Sequence, residues 1–253
     1  ATDAADVINY VRGKEISVFR NRTVKFDSTS AAKVWRLGDI VNSTPAIVGA
    51  PSAGYDSLYG DDSYAAFRTK YAKRRNMVYV GANDGLLHAF NAGFFDNVNA
   101  KYTNTPTGHN ASAPALGSEM WAYAPYNLLP HLKWLTQKNY EHVYFVDANV
   151  KVFDANIFAS KNNNDKYPNG WGTILVVGMR YGGGAYEVDR DGNAATTTDR
   201  TTLRSAYILF DITDPESKPE LIAEITHPNM GYTLADPEII KRRSPDLNGS
   251  YTS

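Results

Sequence analysis

The chain has 253 residues, 43% of them hydrophobic and 21% charged, with a formal net charge of -1. This is the balance of a soluble globular protein, with no overall basic footprint to hold nucleic acid. The absence of cysteine excludes disulfides, thiolate metal sites and cysteine nucleophiles.

No apolar run nears the ~20 residues of a membrane helix; the longest centres on Ile174 to Gly178. Ala1 opens no secretory leader, as expected of a mature or excised chain. The 17 tyrosines tilt the chain toward strands, because aromatic and β-branched side chains suit a pleated, half-buried surface.

The first element is a short helix over Ala4–Val11. Thr2 or Asp3 caps it, Ala4, Val7, Ile8 and Val11 share one face, and Gly13 stops it. Helical spacing then ends, and strand-like pieces alternate with turn clusters. Asp39 to Val48 is the first clear strand region, followed by a polar loop rich in Gly, Asp, Ser and Tyr that runs to Arg75. Met77–Val80 and Leu86–Phe90 form a hairpin around Asn83-Asp84-Gly85, since Asn and Gly tolerate the positive φ of tight turns. Glu119–Ala124 is the fourth strand. Four strands joined by local connections make one propeller blade.

A helix over Pro130–Gln137 interrupts, with Leu128, Leu132 and Leu135 on one side. The four-strand pattern then returns as Val150–Phe153, Thr173–Gly178, Ala206–Asp211 and Pro219–Ile225. Both units have a strand ending in Gly, a return strand ending in Phe-Asn or Phe-Asp, and a closing apolar strand, so the chain contains an internal repeat. A third unit is expected to begin at Tyr232 to Ile240. A simple blade takes ~40–45 residues and a ring needs at least about four of them. The fold class is therefore all-β, an incomplete β-propeller with short inserted helices. Residues 1–25 are the helix and lead-in; residues 26–253 are the partial propeller, with insertions at 54–75 and 180–204.

The segment Val78 to Ala92, followed by Met120-Trp-Ala-Tyr123, resembles the repeat of quinoprotein-type propellers, in which a Trp of the last strand packs between blades. Trp121 is thus expected to be buried there, with the Asn83–Gly85 turn exposed at a hairpin tip. More specific are Val7 to Gly13, Phe19 to Arg22, Leu37 to Pro45, Ala124 to Pro130, Tyr140 to Asp147, Trp171 to Gly178 and Phe210 to Pro215. In that order they are similar to the C-terminal propeller of the PilY/PilC family of type IV pilus proteins.

The resemblance implies an extracellular protein at the pilus tip and cell surface, associated with the outer membrane. It would promote pilus assembly with minor pilins and attach to a host or abiotic surface, with no nucleic acid partner and no membrane span. The family's calcium site, an Asp-x-Asp-x-Asp-Gly loop, lies beyond the last matching segment. Calcium is accordingly expected in the full-length protein and no cofactor in this chain. The stretch from Arg180 to Arg204 departs from the family pattern.

No residue is assigned a catalytic, cofactor-binding or metal role. Glu187, Asp189 and Asp191 alternate as in a calcium loop, but position twelve from Glu187 is Thr198 and not Glu, so a solvated hairpin tip is the reading. Asn162 to Asp165 is a polar loop. His88, His109, His131, His142 and His227 show no metal-ligand spacing, and His88 and His142 are read as hydrogen-bonded structural residues. Asp39 and Asp84 fold turns. Gly182 to Gly184 lacks the Lys of a phosphate loop. The basic clusters Arg68, Lys70, Lys73, Arg74, Arg75 and Lys241, Arg242, Arg243 are read as solvated loops, with an acidic partner surface as the alternative. The functional expectation is a non-enzymatic pilus-tip scaffold. The alternatives are a quinone-dependent dehydrogenase, which would need a closed ring, calcium and a catalytic Asp, and a purely structural secreted scaffold.

Overall fold

The computed structural model describes residues 3–240. Lys241, Arg242, Arg243 and the Asp246–Gly249 segment lie outside the described residues.

Helix α1 spans Ala4–Val11, and the Asp3 side chain caps it by accepting from the Ala5 N–H at 2.9 Å. A two-residue pair follows, β1 (Thr23–Val24) with β2 (Lys33–Val34). Strand β3 is Ala46–Val48, only the end of the predicted Asp39–Val48 region. The supposed polar loop to Arg75 holds two helices, α2 (Tyr55–Tyr59) and α3 (Asp62–Lys70). Asp61 caps α3, and Tyr64 and Phe67 bury its one apolar edge.

The first blade continues with β4 (Asn76–Gly81), β5 (Leu87–Asp96), β6 (Lys101–Thr103) and β7 (Glu119–Tyr123). β3, β4, β5 and β7 are antiparallel neighbours in chain order, and β6 pairs with the far end of β5. The expected helix near Pro130 is a 3₁₀ segment over Tyr126–Thr136 that begins four residues earlier, with Pro130 inside it.

The second blade consists of β8 (Val150–Asn156), β9 (Trp171–Val177), β12 (Tyr207–Asp211) and β13 (Glu220–Ile225), again antiparallel in order. Between β9 and β12 the 180–204 insertion forms its own hairpin, β10 (Tyr186–Val188) with β11 (Thr201–Leu203). Tyr232 to Ile240 contains no strand; its one pairing is an isolated bridge between Thr233 and Arg180. Two blades with unclosed sheets make a mostly-β, incomplete propeller.

Strand β9 is buried at every position, which explains its continuous apolar run. Leu175 and Val177 face the main core, while Ile174 and Val176 face a second cluster with Phe158 and Tyr167. The alternation is the two-residue period of a strand. The main core joins the blades: Tyr79, Leu87 and Ala89 meet Leu175, Ile208 and Phe210, with Phe145 and Val146 between them.

Two burial expectations are corrected. Trp121 is half-buried; it touches Tyr79 of its own blade and Phe210 of the next, both at 5.7 Å between ring centroids, but one side stays open. The Asn83–Gly85 turn is no exposed tip. The segment preceding β8 folds over it, the Asn83 side chain accepts from the Phe145 N–H at 3.0 Å, and Asn83 is 2% exposed. Gly85 has φ +93° and lies so close to Leu132 that an added Cβ would sit 2.3 Å from Cδ2.

Candidate functional site

The turn that joins β4 to β5 is the centre of a charged network in the first blade. Asp84 Oδ2 accepts from the Gly38 N–H at 2.8 Å and Oδ1 from the Leu86 N–H at 3.2 Å. Four residues on, the His88 Nε2 lies 3.1 Å from both Asp84 oxygens, and Nδ1 lies 2.9 Å from Glu119 Oε1 on β7. Burial opposes a charged ring here, but the hydrogen bonds to Asp84 and Glu119 overcome it and hold the His88 pKa up at about 9. The Glu119 carboxyl is lowered in turn, chiefly by the hydrogen bond from His88. An imidazolium that donates to two carboxylates has no lone pair to offer as a base, so the group is a clamp between β5, β7 and the turn.

A second link reaches across the seam. Asp39 Oδ2 accepts from Asn83 Nδ2 at 3.1 Å and from His142 Nε2 at 2.8 Å. Burial raises the Asp39 carboxyl, and these hydrogen bonds more than offset it, leaving the pKa lowered. His142 is hydrogen-bonded as expected, but it stands exposed on the surface.

The basic cluster before β4 is solvated only in part: Arg68, Lys70 and Lys73 are exposed, while Arg74 is half-buried and Arg75 buried. Arg74 reaches from the first blade into the second, donating to Thr173 Oγ1 at 2.8 Å and the Thr213 carbonyl at 3.0 Å. Arg75 is buried and holds Glu216 with both arms of its fork, at 2.7 and 3.1 Å, as well as Asn91 Oδ1 at 2.8 Å. Arg68 pairs with Asp56, and Lys70 with Asp165 at 2.6 Å. The links from Lys70, Arg74 and Arg75 to Asp165, Thr173, Thr213 and Glu216 span 95 to 141 residues, beyond the reach of a local sequence pattern. The 54–75 insertion ends in a latch between blades.

The 180–204 insertion is anchored by Tyr186, which meets His131 edge-on at 5.1 Å while His131 stacks on Trp134 at 4.4 Å. Burial, aided by the nearby Lys133 charge, lowers the His131 pKa and keeps the ring neutral. Asp189 and Asp191 converge with Asp199, their carboxylate oxygens within 4.8 Å, while Glu187 turns away to Arg200 at 3.0 Å. These acids mostly serve their own turn: Asp189 accepts from Gly192 N–H, Asp191 from Asn193 N–H, and Asp199 Oδ2 from Asp191 N–H. Asp199 Oδ1 is buried without a partner among the described residues. The Asn162–Asp165 loop supports Tyr167 and Lys166 through its backbone and side chains.

The lead-in holds a feature that sequence reasoning passed over. A cavity of about 370 Å³ opens between α1, the β1–β2 pair and the β4–β5 turn, lined by Arg20, Arg22, Arg36, Trp35 and Tyr140 among others. Its lining draws on four of the family-like segments, Val7–Gly13, Phe19–Arg22, Leu37–Pro45 and Tyr140–Asp147, none of which by itself signals a cavity.

Two antiparallel sheets, one of five strands and one of four, share one core, and their charged seam groups are spent on one another. This defines a β-propeller scaffold. A profile of the PilY1 beta-propeller domain matches residues 37–252, and the chain belongs to that family. A type IV pilus biogenesis factor PilY1 homolog of Xylella fastidiosa is 33% identical over 220 residues, covering 85% of this chain and 14% of the relative. Type IV pilus biogenesis factor PilY1 of Pseudomonas aeruginosa strain UCBPP-PA14 is 27% identical, covering 96% of this chain and 16% of the relative. The crystal structure of the P. aeruginosa PilY1 C-terminal domain matches 76% of this chain and 28% of that one, at 23% identity and a TM-score of 0.43. The chain thus spans 14% to 16% of the length of these curated relatives.

Proposed function

We propose that the protein carrying this chain is a type IV pilus biogenesis factor. It acts outside the cell at the pilus tip, associated with the outer membrane, where it promotes assembly with minor pilins and attaches to host or abiotic surfaces. The observation that carries this reading is the PilY1 propeller profile over residues 37–252, with relatives named as pilus biogenesis factors along the same stretch. Residues 1–25 serve as lead-in and 26–253 as part of the ring.

The physical role of the blades is a rigid frame. Recognition then falls to what the frame displays, because loops on a rigid scaffold tolerate change that packed strands do not. The 54–75 and 180–204 insertions are the surfaces assigned to partners. No catalytic residue is assigned. Calcium belongs to the full-length protein in this reading, and no ligand for it is assigned here.

Deletion of the gene in its own bacterium tests the proposal. Surface pili, counted by electron microscopy, and attachment to an abiotic surface are both expected to fall and to return on complementation. A deletion strain with normal piliation and normal attachment overturns it, as does a product found only in the cytoplasm.

A further inference from the structure

The 370 Å³ cavity at the lead-in carries charge that the chain itself does not neutralise. Of its acidic walls, Asp39 is occupied by Asn83 and His142, and Asp84 by Gly38, Leu86 and His88. Of its basic walls, Arg22 is paired with Glu15 at 3.0 Å, and its guanidinium lies 3.6 Å over the Tyr10 ring. Two cations remain. Arg20 lies 4.2 Å over the Tyr140 ring, and its Nε is buried with no hydrogen-bond partner among the described residues. Arg36 donates its Nε to the Gly13 carbonyl at 3.1 Å and has no carboxylate partner among the described residues. The Arg20 Nε itself is closed from solvent, but both arginines line the cavity without a carboxylate partner among the described residues, so an anion entering it would meet two cations not already paired.

Shape narrows the choice. A guanidinium fork matches the two oxygens of a carboxylate or of a phosphate. The Tyr10 ring is buried under Arg22, but Trp35 is exposed and Tyr140 half-buried, and these two rings suit an apolar or aromatic body attached to the anion. The volume is at the small end of ligand sites, ~300–1,000 Å³, so the occupant is one or two residues in size. We propose that this cavity binds a carboxylate borne on an aromatic or similarly flat apolar group, with Arg20 and Arg36 holding the anion and the Trp35 and Tyr140 rings holding the body. The source is either the C-terminus of a peptide or a free small acid. The assignment stands apart from the pilus reading.

Titration calorimetry on the complete protein tests it, with N-acetylphenylalanine as the probe, its amide as the neutral isostere, inorganic phosphate as the bare anion and N-acetyl-Gly-Gly-Phe as the peptide. The acid is expected to bind saturably at one site and the amide not at all. Arg20→Gln and Arg36→Gln should each weaken binding about tenfold, the loss of one charge-assisted contact. Lys138→Gln, outside the cavity, should change nothing. Arg36 is exposed, so its variant decides the matter if Arg20→Gln melts early. Tighter binding of the peptide than of the acid identifies a protein terminus as the source; the reverse identifies a free acid, and either supports the site. Equal binding of acid and amide, phosphate as tight as the acid, or unchanged binding in the folded arginine variants overturns it.

Discussion

The His88 clamp makes a prediction about pH with a definite sign. The ring is 4% exposed and lies between Asp84 and Glu119, with its pKa raised from the ordinary 6.5 to about 9. A folded state that holds a proton more tightly than the unfolded chain gains stability from it. That gain is fully present below pH 6.5 and is lost as pH rises through 9, because between these limits the unfolded state binds fewer protons. The separation corresponds to about 3 kcal/mol, taken at 1.36 kcal/mol per unit of pKa. Glu119 shares the same interaction and adds nothing further.

Replacing His88 with Gln keeps a donor but removes the charge. The variant is expected to be less stable by about 2–3 kcal/mol at pH 6, the worth of hydrogen bonds to charged groups. By pH 10 the parent ring is neutral and turns one lone pair toward a carboxylate, so the difference should close or reverse. Urea denaturation of both proteins at pH 6, 8 and 10, followed by tryptophan fluorescence, reads this directly. Other groups that titrate above pH 9 affect both proteins and cancel in the comparison. Parallel stability profiles, separated by the same amount at every pH, would refute the clamp.

Three further outcomes follow from the packing. Glu216→Ala should strand the buried Arg75 cation and cost about 2 kcal/mol, less than a fully buried pair because Glu216 is half-exposed; the Arg75→Met/Glu216→Ala double variant should cost less than the sum, and simple additivity in urea melts would count against the latch. Gly81→Ala would place a methyl 2.1 Å from the Val146 carbonyl oxygen, backbone against backbone. It should cost about 3 kcal/mol, the upper end of overpacking, whereas Gly231→Ala, in open space, should be neutral by the same melt. Trp121→Ala removes ring contacts to Tyr79 and Phe210 from a half-buried site, so about 2–3 kcal/mol is expected, below the ~3–5 of a fully buried Trp; a melting point within a degree of the parent would show that the ring bridges nothing.

What was legible in the sequence was local. The β4–β5 hairpin announced itself through Asn83-Asp84-Gly85, and β9 through an apolar run that only a strand covered on both faces can carry. Both sets of four strands appeared in their true order, since consecutive strands in a blade are sequence neighbours. What was hidden depended on distant chain. Whether the hairpin tip meets water is decided by Phe145 and Leu132, about sixty and fifty residues on, and nothing near Asp84 records their arrival. The same holds for Arg74 and Arg75, whose inter-blade acceptors Thr173, Thr213 and Glu216 come from distant chain. Helix α3 was a different failure. Asp61 supplied a cap, and Tyr64, Phe67 and Tyr71 stand at helical spacing, but three apolar residues among polar ones were read as composition and not as period.

The distribution of satisfied and unsatisfied groups bears on where such a scaffold acts. At the seam, His88, Asp84, Asp39, Arg74 and Arg75 all have partners inside the chain, so an outside ligand there would have to displace bonds already made. The cavity of the lead-in is the opposite case, since Arg20 and Arg36 gain from a ligand without losing an ion pair. The insertion hairpin β10–β11 is intermediate: it touches the frame through Tyr186 and turns most of its polar groups to solvent. A protein whose strands are self-satisfied and whose lead-in cavity is not can change partners without refolding its blades. That separation lets one frame be kept while the surfaces it displays diverge.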